Sequence, residues 1–124
     1  MVILFYIVLQ QLGPKLSIFN ISTRENINLE LSGLAEKCLW DNNSLYLYCG
    51  IPFEVQKDQP DSWYQGISTF NDSFVKINSQ GGSSSSIATP SENIDAINLF
   101  LDNKDETLFF TNKKDSTLWS LDLR

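Results

Sequence analysis

The 124 residues, 42% of them hydrophobic and 12% aromatic, suffice for one domain with its own core and exclude a disordered tail or a fibre. A formal net charge of −6, with no cationic run longer than Lys113-Lys114, lacks the basic stripe that nucleic acid or an anionic membrane surface requires. With no His and only two Cys, the chain holds no Ser-His-Asp, Cys-His or His-ligated zinc chemistry, so no catalytic residue, metal site or cofactor is expected within it.

Residues 2–9 are an unbroken apolar run without the basic flank or small-residue cleavage site of a signal peptide. The run is also too short to cross a bilayer, and its length fits a strand buried on both faces. Gln10-Gln11-Leu12-Gly13-Pro14 reads as a turn, because Gly and Pro break regular structure most strongly, and residues 15–21 read as a second strand. Ile27-Asn28-Leu29-Glu30-Leu31 alternates with period two, which predicts a strand with Ile27, Leu29 and Leu31 inward.

Residues 37–49 read as a hairpin around Asp41-Asn42-Asn43-Ser44. In its second strand Leu45, Leu47 and Cys49 point one way and Tyr46 and Tyr48 the other; neither set is charged, so both faces should be covered. The hairpin places Cys38 opposite Cys49. Facing cysteines form a cross-strand disulfide in an oxidising compartment or stay as two buried thiols in a reducing one.

Two prolines and scattered charges make residues 50–66 an inserted loop. Residues 67–70, the turn Asn71-Asp72 and residues 73–78 follow as a further hairpin, and the Gly/Ser-rich stretch 79–90 reads as a flexible surface loop. Residues 94–101 form the next strand, with a helix capped by Ser91 as the competing reading. The chain then runs strand, polar turn, strand, polar turn, strand through Asp102-Asn103-Lys104-Asp105-Glu106 and Asn112-Lys113-Lys114-Asp115-Ser116, residues that bond their own backbone.

Leu16, Phe74 and Leu118 align in one column, Phe19, Ile77 and Leu121 in a second, and Asn20, Asn78 and Asp122 beside them. Leu45-Tyr46-Leu47-Tyr48 aligns with Leu108-Phe109-Phe110-Thr111, and Trp40-Asp41 with Leu101-Asp102. A four-stranded unit recurring every 40–50 residues or so is the pattern of a β-propeller blade. The expected fold is thus all-β, a partial propeller of about two and a half to three four-stranded antiparallel blades, with an all-β sandwich as the alternative. Residues 1–33 would be an incomplete blade, 34–90 a blade carrying the loops 50–66 and 79–90, and 91–124 a second incomplete blade. Because the first unit lacks an opening strand and the third a closing one, the chain is expected to be a fragment completed by blades of a parent protein or of another chain.

The stretch Asp102-Asn103-Lys104-Asp105-Glu106-Thr107-Leu108-Phe109-Phe110 resembles the repeat of Tol-type and WD-repeat-like propellers, without their usual Pro-Asp-Gly. Lys37-Cys38-Leu39-Trp40, Tyr48-Cys49-Gly50-Ile51-Pro52, Pro60-Asp61-Ser62-Trp63-Tyr64-Gln65-Gly66 and Lys113-Lys114-Asp115-Ser116-Thr117-Leu118-Trp119 are similar to an uncharacterised family of propeller-like proteins from uncultured, small-genome bacteria. The likeness covers about residues 15–124. It implies an extracytoplasmic propeller, periplasmic or at the cell surface, set behind a membrane anchor that the strand reading of residues 2–9 does not supply, and it implies no activity.

The site-like constellation is Glu54, Asp58 and Asp61 beside Trp63 and Tyr64: carboxylates accept hydrogen bonds while aromatic faces stack on sugars or attract cations. The competing reading makes Trp63 and Tyr64 core residues that anchor the loop. Asp102–Glu106 lacks the glycine and distant Glu of a calcium loop and reads as turn residues. The resulting expectation is a non-enzymatic segment that binds a protein or carbohydrate or acts as a scaffold outside the cytoplasm, without inserting into a membrane. The alternative is the propeller part of a larger hydrolase whose catalytic residues lie elsewhere.

Overall fold

The computed structural model describes residues 3–10 as backbone, and residues 13–55 and 58–124. Val2, residues 11–12 of the predicted first turn and residues 56–57 of the inserted loop lie outside the described residues.

The described residues build ten strands in three antiparallel sheets. The first sheet holds β1 (Ile3–Gln10), β2 (Gly13–Asn20) and β3 (Asn26–Ser32) in that order. A one-turn 3-10 helix, Ala35–Lys37, leads into β4 (Cys38–Trp40), β5 (Tyr46–Pro52), β6 (Asp72–Asn78) and β7 (Ser84–Ala88), the second sheet. The short helix α1 (Asp61–Tyr64) lies between β5 and β6. The third sheet orders β8 (Ala96–Leu101), β9 (Thr107–Asn112) and β10 (Thr117–Asp122). Each sheet is a meander of antiparallel neighbours, joined by short connections except between β5 and β6, where residues 53–71 intervene.

The alternation of side chains across each strand decides how the sheets stack. Leu47, Cys49, Ile51 and Ile77 of the second sheet share a core with Leu16, Ile18 and Leu29 of the first, and Ile27 and Leu31 pack at its margin. Tyr48 and Phe74 point the opposite way and pack with Ala96, Leu108 and Phe110 of the third sheet and Ile94 just before it. The middle sheet is thereby covered on both faces, which is why β5 carries no charge on either side.

Local chemistry fixes the turns. Between β4 and β5, Asp41 Oδ1 accepts the N–H groups of Leu45 (2.8 Å) and Tyr46 (3.3 Å), and Ser44 takes a positive φ. Between β8 and β9, Asp102 Oδ1 accepts Glu106 N–H (2.7 Å) and Thr107 N–H (3.1 Å), with Asp105 at positive φ. A second turn type follows β2, β6 and β9. In each, an Asn side chain accepts the N–H two residues on: Asn20 from Ser22, Asn78 from Gln80 and Asn112 from Lys114. The backbone N–H four residues on, of Arg24, Gly82 or Ser116, returns to the carbonyl of that Asn at positive φ.

Several sequence expectations need correction. Residues 79–90 are not all loop, for Ser84–Ala88 forms the outer strand of the middle sheet. An edge strand pairs through its backbone, so a serine run with no apolar signal can supply one. Gly50–Pro52 belongs to β5 rather than to the inserted loop, and Asp61–Tyr64 within that loop is helical. Residues 67–70 do not pair as a strand: the N–H groups of Ile67 and Ser68 return to Ser62 O, folding this stretch onto α1. The helix reading of residues 91–101 gives way to β8. The turn bonds match Tyr46 with Thr107, two residues from the alignment drawn on sequence, a shift that leaves the side-chain faces unchanged.

Candidate functional site

A polar cluster absent from the sequence reading sits where the second and third sheets meet. Lys37 closes the 3-10 turn, Asp72 opens β6 and Asp95 immediately precedes β8; all three are fully buried. A lysine tolerates this only when its ammonium is fully partnered. Lys37 Nζ donates to Asp95 Oδ1 (2.5 Å) and to the Ala96 carbonyl (2.8 Å), and it pairs with Asp72 Oδ2 at 2.7 Å. All three of its protons have acceptors.

The carboxylates recruit their own donors. Asp95 Oδ2 accepts the Trp63 indole N–H (2.8 Å) and the Phe70 backbone N–H (3.0 Å), while Asp72 Oδ2 accepts Ala96 N–H (2.8 Å). Asp72 Oδ1 is the one buried side-chain polar atom among the described residues without a hydrogen-bond partner. Two carboxylates face one ammonium, and burial outweighs the attraction of Lys37 to push Asp72 up to about 6. Gly50 makes the approach feasible, since a Cβ there would stand 3.1 Å from Asp72 Oδ2 and 3.3 Å from Ala96 Cβ.

This cluster holds the connection between β5 and β6 against the sheet ends. Trp63 is buried and stacks on Phe70 at 5.8 Å, and the two rings pack with Leu34. Lys113 Nζ lies 4.2 Å from the Trp63 ring centroid and donates to the Trp63 carbonyl (2.7 Å), and Lys114 Nζ donates to Thr69 Oγ1 (3.1 Å). The Tyr64 hydroxyl donates to Glu36 Oε2 (2.6 Å); desolvation and the Glu36 carboxylate push its pKa to about 12.

The five candidate ligand residues therefore separate. Trp63 is interior, with its polar edge committed to Asp95. Tyr64 is exposed and tied to Glu36, and Asp58 and Asp61 are exposed, their backbone carbonyls accepting the Ser62 and Gln65 N–H groups. Glu54 lines a cavity of about 160 Å³ with Phe53, Gln59, Thr69, Phe70 and Asn71. Phe53 and Ile67 also stand exposed on this connection. Cys38 and Cys49, direct partners in the β4–β5 register, are joined by a disulfide.

With every Lys37 proton engaged and its side chain sealed from solvent, the cluster works as a clamp and not as a site for an outside substrate. Its members sit in the sequence as charges set against apolar runs, Lys37-Cys38-Leu39-Trp40 and Ile94-Asp95-Ala96-Ile97. That signal marks them as unusual, but their meeting depends on sheet stacking across 58 residues. No family model, curated protein or solved structure matches the chain.

Proposed function

We propose that this chain is a β-propeller segment that binds or scaffolds outside the cytoplasm and is not itself an enzyme. The observation that carries the reading is the succession of sheets: three meanders, consecutive in the chain, stack face to face with the middle one covered on both sides. The Asp41 and Asp102 turns carry the same bonds 61 residues apart, and the Asn20 and Asn78 turns carry the same bonds 58 residues apart. On that correspondence the first sheet supplies the last three strands of a blade, the second a whole blade and the third the first three strands of another. The resemblance to Tol-type propellers agrees with it, and the Cys38–Cys49 disulfide favours an oxidising compartment.

The binding surface in this reading is the clamped β5–β6 connection, which turns Phe53, Tyr64 and Ile67 outward beside Glu54, Asp58 and Asp61. Apolar rings set among carboxylates suit a carbohydrate or a protein segment with cationic groups. Co-sedimentation with insoluble chitin, cellulose and peptidoglycan tests the carbohydrate arm. Retention on one of them that is lost in Phe53→Ala or Tyr64→Ala, with an unchanged melting temperature, supports the surface. Equal retention of wild type and variants on every matrix contradicts it.

A further inference from the structure

The buried cluster has the parts of a bond-forming site whose reactants are its own side chains. Lys37 Nζ lies 2.5 Å from Asp95 Oδ1 and 2.7 Å from Asp72 Oδ2, and all three side chains are 0% exposed. The first contact is shorter than the about 2.7–2.9 Å of an ordinary charge-assisted hydrogen bond. The Trp63 and Phe70 ring centroids each stand 5.5 Å from Nζ, so the amine and the carboxyl groups meet in an aromatic, water-free setting. Such a setting disfavours separated charges and favours a condensation that expels water.

The two carboxyl groups are held differently. Asp95 Oδ2 accepts the Trp63 indole N–H (2.8 Å) and the Phe70 N–H (3.0 Å), the two-donor arrangement that stabilises charge developing on an oxygen when its carbon is attacked. Its Oδ1 lies against Nζ. Asp72 is fitted to handle protons. Burial pushes its pKa up to about 6, its Oδ1 has no hydrogen-bond partner, and its Oδ2 reaches the same Nζ.

We propose that Lys37 and Asp95 join in an isopeptide bond that the folded chain forms by itself, with Asp72 as proton shuttle. Nζ attacks Asp95 Cγ while Oδ2 carries the developing charge between its two donors. Asp72 takes a proton from the attacking nitrogen and delivers one to Oδ1, and the Cγ–Oδ1 bond breaks with its electron pair leaving on the oxygen as water. An ammonium and a carboxylate thus give one amide and one water, no atom changes oxidation state, and Asp72 is returned as it began. The ion-paired cluster is the reactant state. In the product the amide oxygen keeps the Trp63 and Phe70 donors, and the Ala96 carbonyl, 2.8 Å from Nζ, is in place to accept the remaining N–H. The bond ties the 3-10 turn before β4 to the residue before β8, 58 positions on, and so fastens the second sheet to the third. The Cys38–Cys49 disulfide links strands of one sheet and yields to reductant; the amide does neither. The inference rests on this cluster alone and stands apart from the propeller-segment reading.

Intact-mass measurement of the full chain, denatured and reduced, tests the proposal, followed by a tryptic map. The wild type is expected one water lighter than its sequence, with the peptide containing Lys37 joined to the peptide containing Asp95. The joined peptide separates this bond from an aspartate that has dehydrated within its own backbone. Asp72→Asn, shown to be folded by circular dichroism, is expected to keep its full mass. A wild type at full sequence mass overturns the proposal and leaves the cluster an ion-paired clamp, and so does a lost water whose peptides are not joined. An Asp72→Asn chain joined as completely as the wild type overturns the role of Asp72. The wild-type reading needs no variant to fold, because an amide once formed survives denaturation.

Discussion

At the scale of single residues, Lys37 is the charge the fold depends on most. Lys37→Met would leave Asp72 and Asp95 buried without their cation and is expected to cost about 3–5 kcal/mol in urea unfolding. Asp72 sets a pH dependence whose sign follows from its raised value of about 6 against an ordinary 3.8. Its contribution to stability is whole below about pH 4 and is lost as the pH rises through 6, a change of about 3 kcal/mol. Melting temperatures measured from pH 4 to 8 should therefore fall across that window, and Asp72→Asn, which cannot ionise, should flatten the decline. The sequence offered little warning of this cluster. Trp63 looked like a ligand-stacking ring or a core anchor, and only the position of Asp95, 32 residues away, makes it the anchor.

At the scale of elements, what was legible was what side chains decide locally. The Asp41 and Asp102 turns could be read because a carboxylate that accepts the two N–H groups closing a turn is a property of a few adjacent residues. The same bonds hold the Asp102 carboxyl below its ordinary value, the Glu106 N–H contributing most. Asp41→Ala and Asp102→Ala are each expected to lower the melting temperature, and by similar amounts, if the two turns play equivalent parts. A marked drop for one and none for the other would break the correspondence between the second and third sheets. β7 and the fold-back of residues 67–70 were not legible, because backbone pairing decides both and their side chains carry no periodic apolar signal. The facing of Cys38 and Cys49 was readable from a symmetric hairpin, whereas the choice between thiols and a disulfide was not. Closing a loop of 11 residues, the bond should contribute about 2–3 kcal/mol, seen as a lower melting temperature in reductant that Cys38→Ala/Cys49→Ala reproduces.

At the scale of the whole molecule, the two-sided apolar pattern of β5 was the most informative stretch of sequence, since a strand without a wet face must lie between two layers. The identity of those layers depends on contacts between strands far apart in the chain, which periodicity does not encode. Native-state hydrogen exchange tests this stacking most directly. With the middle sheet covered on both faces, the Leu47, Tyr48 and Cys49 amides should exchange only through global unfolding, far more slowly than those of Ser84–Ala88 at its edge. Exchange of the β5 amides by local opening, at rates like those of the edge strand, would contradict the three-layer arrangement on which the account rests.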